Sequence, residues 1–341
     1  MAPHDTGLLQ ATEVARRLVG NTAEVSRLLT GGRNSRIWYV RSGSSAFALK
    51  QYPARRDDDL RDRLATETGA LRLMEHYQID TVPRVVAVDS ESGFALLSWI
   101  DGRDVVDIDE GDIDAAVAFL TAIHQLRATP WAAKQPHASE ACLCGTEIVR
   151  QIDSRLERLM RQSDEPELID FLDHSLPPAI ARASGEARTL AAAAGFEFGA
   201  ELPQDWRSLV PSDFGFHNSM RRSDGSLAFV DFEYFGWDDP VKLAADMLLH
   251  PGRTLSVAQR SRFRRLAERL YGADRSFAQR LRAYLPLFGL RWVLILLNEF
   301  VPERWQARAL AGGGERWSDI KARQLAHAKK FLESLSERVK N

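Results

Sequence analysis

Cysteine is nearly absent from this sequence: its 341 residues include two, Cys142 and Cys144, separated by a single residue. That spacing is poor for a disulfide, and two thiols alone make an incomplete zinc site. We therefore predict a pair of reduced thiols near the start of a helix. Because so low a cysteine content is typical of reducing compartments, we expect a cytoplasmic location.

Net charge is also nearly absent, since 45 Lys and Arg residues are balanced by 47 Asp and Glu residues, for a formal charge of −2. This balance gives no overall attraction to nucleic acid or to an anionic membrane, so we expect neither as a partner. The N-terminal residues lack the apolar run of a signal peptide. The most apolar stretch, residues 283–300, includes Pro286, Arg291 and Glu299 and is predicted to be a buried helix without membrane insertion.

The hydrophobic pattern changes from strand-rich to helical near residue 100, and the length suggests about two domains. The predicted strands are residues 37–40, 47–49, 84–88 and 94–100, with a further β-like segment at 209–231. The predicted helices are residues 8–19, 58–78, 113–126, 145–162 and 168–194, the last broken at Pro177 and Pro178, and the chain is helical again from about residue 241. The sequence thus predicts an α+β fold with a small N-terminal antiparallel-sheet lobe (1–98), a linker (99–102) and a larger, mainly helical C-terminal lobe (103–341).

The segment SDFGFHN, residues 212–218, places Asp213 five residues before Asn218, and Asp231 follows the apolar run 227–230. Phosphoryl transfer needs a residue that orients the attacking hydroxyl and oxygen ligands that hold Mg²⁺. Asp213 suits the first role, and Asn218 and Asp231 suit the second. Because Asp, Gly and Asn are also common turn residues, the segment by itself is equally compatible with an ordinary loop.

Lys50 follows the predicted strand 47–49, and Glu67 lies between Leu64 and Leu71 on the predicted helix. An ion pair between them would fix the ammonium group for contact with phosphate oxygens. The alternative for Lys50 is an edge-strand lysine in solvent. Backbone amides in the Gly31-Gly32 turn could cover phosphates, although an ordinary hairpin turn has the same pattern. The ordered combination of these features is much less expected by chance than any one of them.

With these motifs in place, the sequence resembles the aminoglycoside phosphotransferase and choline kinase family, the small-molecule branch of the protein-kinase-like fold, from about residue 25 to 249. The family's catalytic loop usually reads HGDLHxxN and is followed by a strand and IDxE. Asp213, Asn218, Asp231 and Glu233 match that pattern. The resemblance implies an ATP-dependent kinase with Mg²⁺, in which Asp213 acts on the acceptor hydroxyl and Asn218 and Asp231 hold the metal. The implied nucleotide-binding residues are Gly31, Gly32, Asn34, Ser35, Lys50, Glu67, and the linker residues Ser98 and Ile100.

Several positions depart from the family pattern. Pro211 and Ser212 replace the usual His and Gly before the catalytic Asp, and Ser98 replaces the linker Glu. The usual His braces the loop, so its absence changes the support of Asp213 without removing the acid. His217 is predicted to have a loop-packing or substrate-side role. The amino-acid sequence of this loop also resembles that of a bacterial subgroup of phosphotransferases, some of them associated with cell-surface polysaccharide synthesis.

The expected acceptor is a hydroxyl group of a small molecule such as an amino alcohol, an aminoglycoside or a sugar, bound by the C-terminal lobe. The candidate substrate residues are Glu233, Trp237, Asp238, Arg291 and Glu299. Acids beside aromatic rings would suit a cationic amine, whereas Arg291 and Trp292 would equally suit a sugar. For the residues of the predicted helix 283–300, the alternative to substrate binding is packing in the core. An inactive nucleotide-binding scaffold is the rival function, and a protein kinase is disfavoured because no APE-like segment follows Asp231.

Overall fold

The computed structural model describes residues 3–27, 35–54, 61–162, 164–302 and 316–340. These residues form two compact units. The first unit comprises residues 3–104 and Asn218–Phe235, and the second comprises Val105–His217, 236–302 and 316–340. A segment from the second half of the sequence is therefore part of the N-terminal unit.

The strands are β1 (Glu24–Arg27), β2 (Arg36–Ser42), β3 (Ser45–Gln51), β4 (Val85–Asp89), β5 (Phe94–Ser98), β6 (Gly102–Asp104), β7 (Ser208–Val210), β8 (Ser219–Arg222), β9 (Leu227–Phe229) and β10 (Gly236–Asp238). The helices are α1 (Pro3–Val19), α2 (Arg63–His76), α3 (Glu110–Gln125), α4 (Gly145–Gln162), α5 (Pro166–Asp170), α6 (Leu176–Ala194), α7 (Pro240–Leu249), α8 (Val257–Leu270), α9 (Phe277–Leu296) and α10 (Trp317–Lys340).

The first unit is built on a five-stranded antiparallel sheet in the order β1-β2-β3-β5-β4. The four predicted strands are confirmed as β2 to β5, with ends shifted by a few residues. Helix α1 buries Ala11, Val14 and Ala15 against Trp38 and neighbouring sheet residues, which is the i, i+3, i+4 spacing of a helix with one apolar face.

Helix α2 presents Glu67 to the interior of the first unit. The Asp62 side chain accepts a hydrogen bond from the backbone N–H of Ala65 and caps the helix start. The helix ends at His76, because Gln78 adopts a left-handed backbone with φ 59°. Its buried face carries Ala70 and Leu71 together with Glu67.

A second, three-stranded sheet in the order β6-β8-β9 belongs to the same unit. The register pairs Ser219 with Phe229, and the backbone N–H of Val230 donates to the carbonyl of Asn218 at 3.0 Å. Asn218 precedes β8 and Asp231 follows β9, so antiparallel pairing brings both residues to the same end of this hairpin.

The second unit is mainly helical, and one predicted detail of it is wrong. No helix break occurs at Pro177 and Pro178, which lie in the first turn of α6. The distortion lies just before them, where residues Phe171–Ser175 form a π-type turn after α5. Prolines are tolerated in a first helical turn because the backbone N–H groups there have no helical partner.

Helix α9 is a core helix of the second unit. The stretch Phe277–Phe300 is long and apolar enough to cross a membrane by length and composition, yet 67% of its most apolar window is buried inside the protein. It packs against α4, α6, α7 and α10. This contact pattern agrees with the predicted buried helix.

Candidate active site

The ammonium group of Lys50 is the centre of a buried ionic cluster in the first unit. Its Nζ lies 2.6 Å from Oε2 of Glu67 and 2.7 Å from Oδ1 of Asp231. The side chain is 5% exposed, since β3 directs it into the unit rather than to solvent. The expected ion pair with Glu67 is therefore present, and the alternative of a solvated edge lysine is excluded.

Glu67 is held from several directions. Its Oε2 also accepts a hydrogen bond from the Tyr52 hydroxyl at 2.8 Å, and its Oε1 accepts one from the backbone N–H of Phe232 at 3.2 Å. Burial opposes the charged form of Lys50, but the carboxylates of Asp231 and Glu67 outweigh it and raise its pKa well above the usual range. Lys50 is therefore a fixed positive charge at neutral pH.

Glu233 lies in the same cluster, with its Oε2 3.7 Å from Lys50 Nζ and its Oε1 3.6 Å from Arg63 Nε. Neither carboxylate oxygen accepts a hydrogen bond from the part of the chain that the structure describes. Burial and the nearby Asp231 raise the pKa of Glu233 to about 7. A side chain that is 1% exposed is poorly suited to contact a substrate, so its placement argues against the predicted substrate role.

Asp231 and Asn218 lie at the same end of the β8–β9 hairpin. Asp231 has φ 71°, a left-handed conformation that is costly for a non-glycine residue and common at functional sites. Its side chain is 26% exposed, in contrast to Glu67 and Glu233, which are 1% exposed. A carboxylate and an amide oxygen are hard donors of the kind that Mg²⁺ prefers, so the two residues fit a magnesium ion.

Asp213 lies in the second unit, on the loop after β7. The neighbouring side chains Phe214 and Phe216 are buried, and the Phe214 ring stacks on Phe119 with centroids 5.7 Å apart. These anchors hold the loop while the Asp213 side chain remains 41% exposed. Accessibility of this carboxylate is what a residue that contacts substrate requires.

The His217 imidazole contacts Asp213, with Nε2 3.0 Å from Oδ1. His217 in turn stacks on His250, with centroids 3.8 Å apart and planes within 4°. Although partial desolvation raises the pKa of Asp213, the hydrogen bond from His217 and the electrostatic interactions with His217, His250 and Lys242 lower it to about 2. Asp213 is therefore ionised throughout the physiological pH range.

The role of His217 as a partner of Asp213 was not predicted from the sequence. The available signal was the spacing of four residues between the two, which one turn of chain can close. The ligand atoms of Asp213, His217 and His250 lie within 4.8 Å of one another, as in some metal sites. Imidazole lone pairs lie in the ring plane, however, and two parallel stacked rings do not direct them at one ion.

The remaining substrate candidates are internal to the second unit. Trp237 donates from Nε1 to the carbonyl of Ala132 at 2.9 Å. Asp238 is fully buried and accepts hydrogen bonds from the backbone N–H groups of Cys142 and Asp239. Such engagement argues against direct contact of either side chain with a substrate.

Arg291 is also internal, at 4% exposure, and contacts Glu140 at 2.6 Å and Gln151 at 3.1 Å. Glu299 is 9% exposed. For Arg291 and Glu299, in the stretch 283–300, packing in the core is therefore favoured over contact with a substrate.

The nucleotide-side candidates outside the ionic cluster are described only in part. Gly31, Gly32 and Asn34 lie outside the described residues, and Ser35 is buried at the start of β2. The Ser98 hydroxyl accepts a hydrogen bond from the backbone N–H of Arg84 at 2.9 Å, which ties the ends of β4 and β5 together. The nucleotide-binding roles of these residues and of Ile100 stay predictions.

The model of the phosphotransferase enzyme family matches residues 25–281 of this chain. Similar folds include an ethanolamine kinase from Plasmodium vivax, with 14% identity, a TM-score of 0.58 and coverage of 94% of this chain and 88% of that chain. The choline kinase LicA from Streptococcus pneumoniae has 18% identity and a TM-score of 0.57, with 97% and 99% covered.

A thermostable variant of the aminoglycoside phosphotransferase APH(4)-Ia, in a ternary complex with ADP and hygromycin B, has 16% identity and a TM-score of 0.55, with 95% and 98% covered. No curated protein matches the chain. At these identities the likeness to the solved structures concerns the fold, and it confirms the predicted protein-kinase-like class.

Proposed function

This chain belongs to the phosphotransferase enzyme family, and on that premise we propose that it is a kinase that transfers the γ-phosphate of ATP to a hydroxyl group of a small molecule. The proposal is carried by the Lys50 ammonium, which Glu67 holds at 2.6 Å and which also meets Asp231 at 2.7 Å. A buried lysine fixed by a glutamate on a helix is the group that phosphoryl-transfer enzymes of this fold use to contact phosphates. Lys50 is assigned that contact with the α- and β-phosphates of ATP.

Asn218 and Asp231 would hold Mg²⁺, which neutralises phosphate charge when it is bound. Their shared position at one end of the β8–β9 hairpin supports this pairing. Asp231 also contacts Lys50, so the proposed metal ligand and the proposed phosphate contact belong to one charge cluster. Glu233 is assigned a structural part in that cluster rather than a substrate contact.

Asp213 is assigned to the acceptor hydroxyl. Its pKa of about 2 makes the carboxylate a weak base, so its main contribution is to accept a hydrogen bond from the hydroxyl and orient it for attack on the γ-phosphorus. In a loose phosphoryl-transfer transition state the hydroxyl proton is lost late, and positioning supplies much of the rate enhancement. The hydrogen bond between His217 Nε2 and Asp213 Oδ1 helps to fix the direction of this carboxylate.

The alternative of an inactive nucleotide-binding scaffold has little in its favour. It depended on Pro211 and Ser98, which depart from the family pattern. The groups that inactive relatives are expected to lose, namely the lysine, the metal ligands and the acid, are all present in this chain. The acceptor's identity and any link with surface polysaccharide stay predictions.

The test is ADP formation from MgATP by the purified full chain, screened against amino alcohols, aminoglycosides, sugars and nucleosides. We expect one class to stimulate ADP release, and chelation of the metal to abolish the release. The change Asp213→Asn should lower kcat by about a hundredfold or more while leaving nucleotide affinity nearly unchanged. Asp205→Asn is the matched control, because Asp205 is an exposed aspartate of the same unit.

A wild-type chain that binds ATP but forms no ADP with any acceptor would contradict the proposal in favour of the scaffold. Full activity of the Asp213→Asn protein would instead leave the kinase in place and refute the role of Asp213.

A further inference from the structure

A buried lysine in the second unit contacts a side chain of the loop that carries Asp213. Lys242 is in the first turn of α7 and is 2% exposed. Its Nζ donates to the hydroxyl of Ser212 at 3.1 Å and to Oδ2 of Asp246 at 3.2 Å, and Oδ2 of Asp238 lies 3.9 Å away. A buried ammonium needs such partners, because an unpaired charge in the interior is very costly.

Ser212 has an unusual backbone for a serine. Its φ is 68°, and the N–H of Asp213 donates to the carbonyl of Pro211 at 3.0 Å, which closes a tight three-residue turn around Ser212. Glycine adopts positive φ without a steric penalty, and the resembled catalytic-loop pattern has glycine here. Serine at this position therefore carries backbone strain that glycine would not.

The hydroxyl of Ser212 makes two contacts that glycine would lack. It accepts the hydrogen bond from Lys242, and it donates to the carbonyl of Ser139 at 3.4 Å. The loop is thus tied to α7 on one side and to the segment around Ser139 on the other. The next residue in the chain is Asp213, so any movement of this turn moves the carboxylate.

We propose that Lys242 is a positioning residue for phosphate transfer. It holds the Ser212 hydroxyl, and thereby the turn that sets the direction of the Asp213 carboxylate. The inference rests on the proposed function. The family's loop-bracing histidine is absent here, because Pro211 occupies its place. The contact of buried Lys242 with Ser212 would brace the same loop instead. The positive charge of Lys242 also acts on Asp213, in the direction that keeps the carboxylate ionised.

The first test is the change Ser212→Gly, which removes the tether and relieves the strain at once. We expect kcat for ADP formation from MgATP to fall by about ten- to hundredfold, the loss typical of a misplaced catalytic group. The KM for MgATP should change by less than about twofold and the melting temperature should not fall, since glycine suits this backbone. Gln78→Gly is the matched control, because exposed Gln78 has φ 59° and should gain stability without a change in kcat.

The second test asks whether Lys242 and Ser212 act together. We expect Lys242→Met to lower kcat as Ser212→Gly does, and the double variant to be no worse than the more damaging single change. Lys242→Arg, which keeps the charge and a donor, should recover part of the loss. Independent, multiplicative effects of the two changes would overturn the proposed tether.

If Lys242→Met fails to fold, the Ser212→Gly result decides by itself. Wild-type kcat in the Ser212→Gly protein overturns the inference and leaves the kinase proposal standing. A wild-type chain without turnover removes the kinase proposal and this inference with it.

Discussion

The buried carboxyl group of Glu233 should make the stability of the protein fall as the pH rises toward neutrality. Burial raises its pKa from the usual 4.5 to about 7, Asp231 adds to the rise, and Lys50 and Arg63 oppose it. Between these two values an unfolded glutamate is ionised while the folded one still holds its proton. The folded state then binds more protons, so the free energy of unfolding decreases with pH in this window. The shift corresponds to about 3 kcal/mol across the whole window.

The perturbation is Glu233→Gln, which removes the titration and keeps the shape of the side chain. Urea-induced unfolding, followed by circular dichroism from pH 5 to pH 8, gives the free energy at each pH. We expect the wild type to lose about 2.5 kcal/mol more than the variant over this range, since part of the titration of the unfolded glutamate lies below pH 5. Asp238, whose pKa burial also raises to about 7, contributes equally to both proteins and cancels in the difference.

Glu75 is an exposed glutamate of the same unit and offers the control Glu75→Gln, which should follow the wild type. If the wild type and Glu233→Gln proteins lose stability in parallel between pH 5 and pH 8, Glu233 is already ionised in the folded state. The reasoning from its burial would then be refuted.

Two further predictions concern stability. Gly236→Ala should lower the free energy of unfolding by about 1–3 kcal/mol or more. A Cβ at this position would lie 2.5 Å from the carbonyl oxygen of Pro136 and close to other backbone atoms that cannot move aside. A melting temperature equal to that of the wild type would contradict this prediction. Arg280→Met should cost about 3–5 kcal/mol, because Arg280 makes two hydrogen bonds to Asp239 and one to Asp274, all buried, and both acids would lose the cation that they pair with. Arg282→Met on the same helix is its exposed control, and equal melting temperatures of the two variants would argue against the network.

The elements with strong local patterns were predictable from the sequence. Helix α4 has the predicted bounds, Gly145–Gln162, because its apolar residues recur with helical spacing over five turns. Strand β2 was found from its β-branched and aromatic run, and β3 from the short apolar run that follows the next turn. The break at Pro177 and Pro178 was misplaced because proline marks both the interruption and the first turn of a helix, and local sequence does not separate the two.

The candidate site was predictable as a set of residue types and only in part as a set of contacts. The ion pair of Lys50 with Glu67 followed from an ordered motif, whereas the contact of Lys50 with Asp231 joins residues 181 positions apart. The contact of His217 with Asp213 lay within one turn of chain, but its orientation depends on the stack with His250.

The sequence by itself determined which groups are present, namely a lysine, several carboxylates and an amide, because these follow from residue type and spacing; their roles toward a hydroxyl and a metal stay predictions. The tertiary structure decided which of these groups are accessible and which are buried. It left Asp213 partly exposed, buried Glu233 among charges, and tied Ser212 to Lys242 across 30 residues of chain. Burial and long-range pairing depend on how distant segments pack, and no local pattern of residues contains that information.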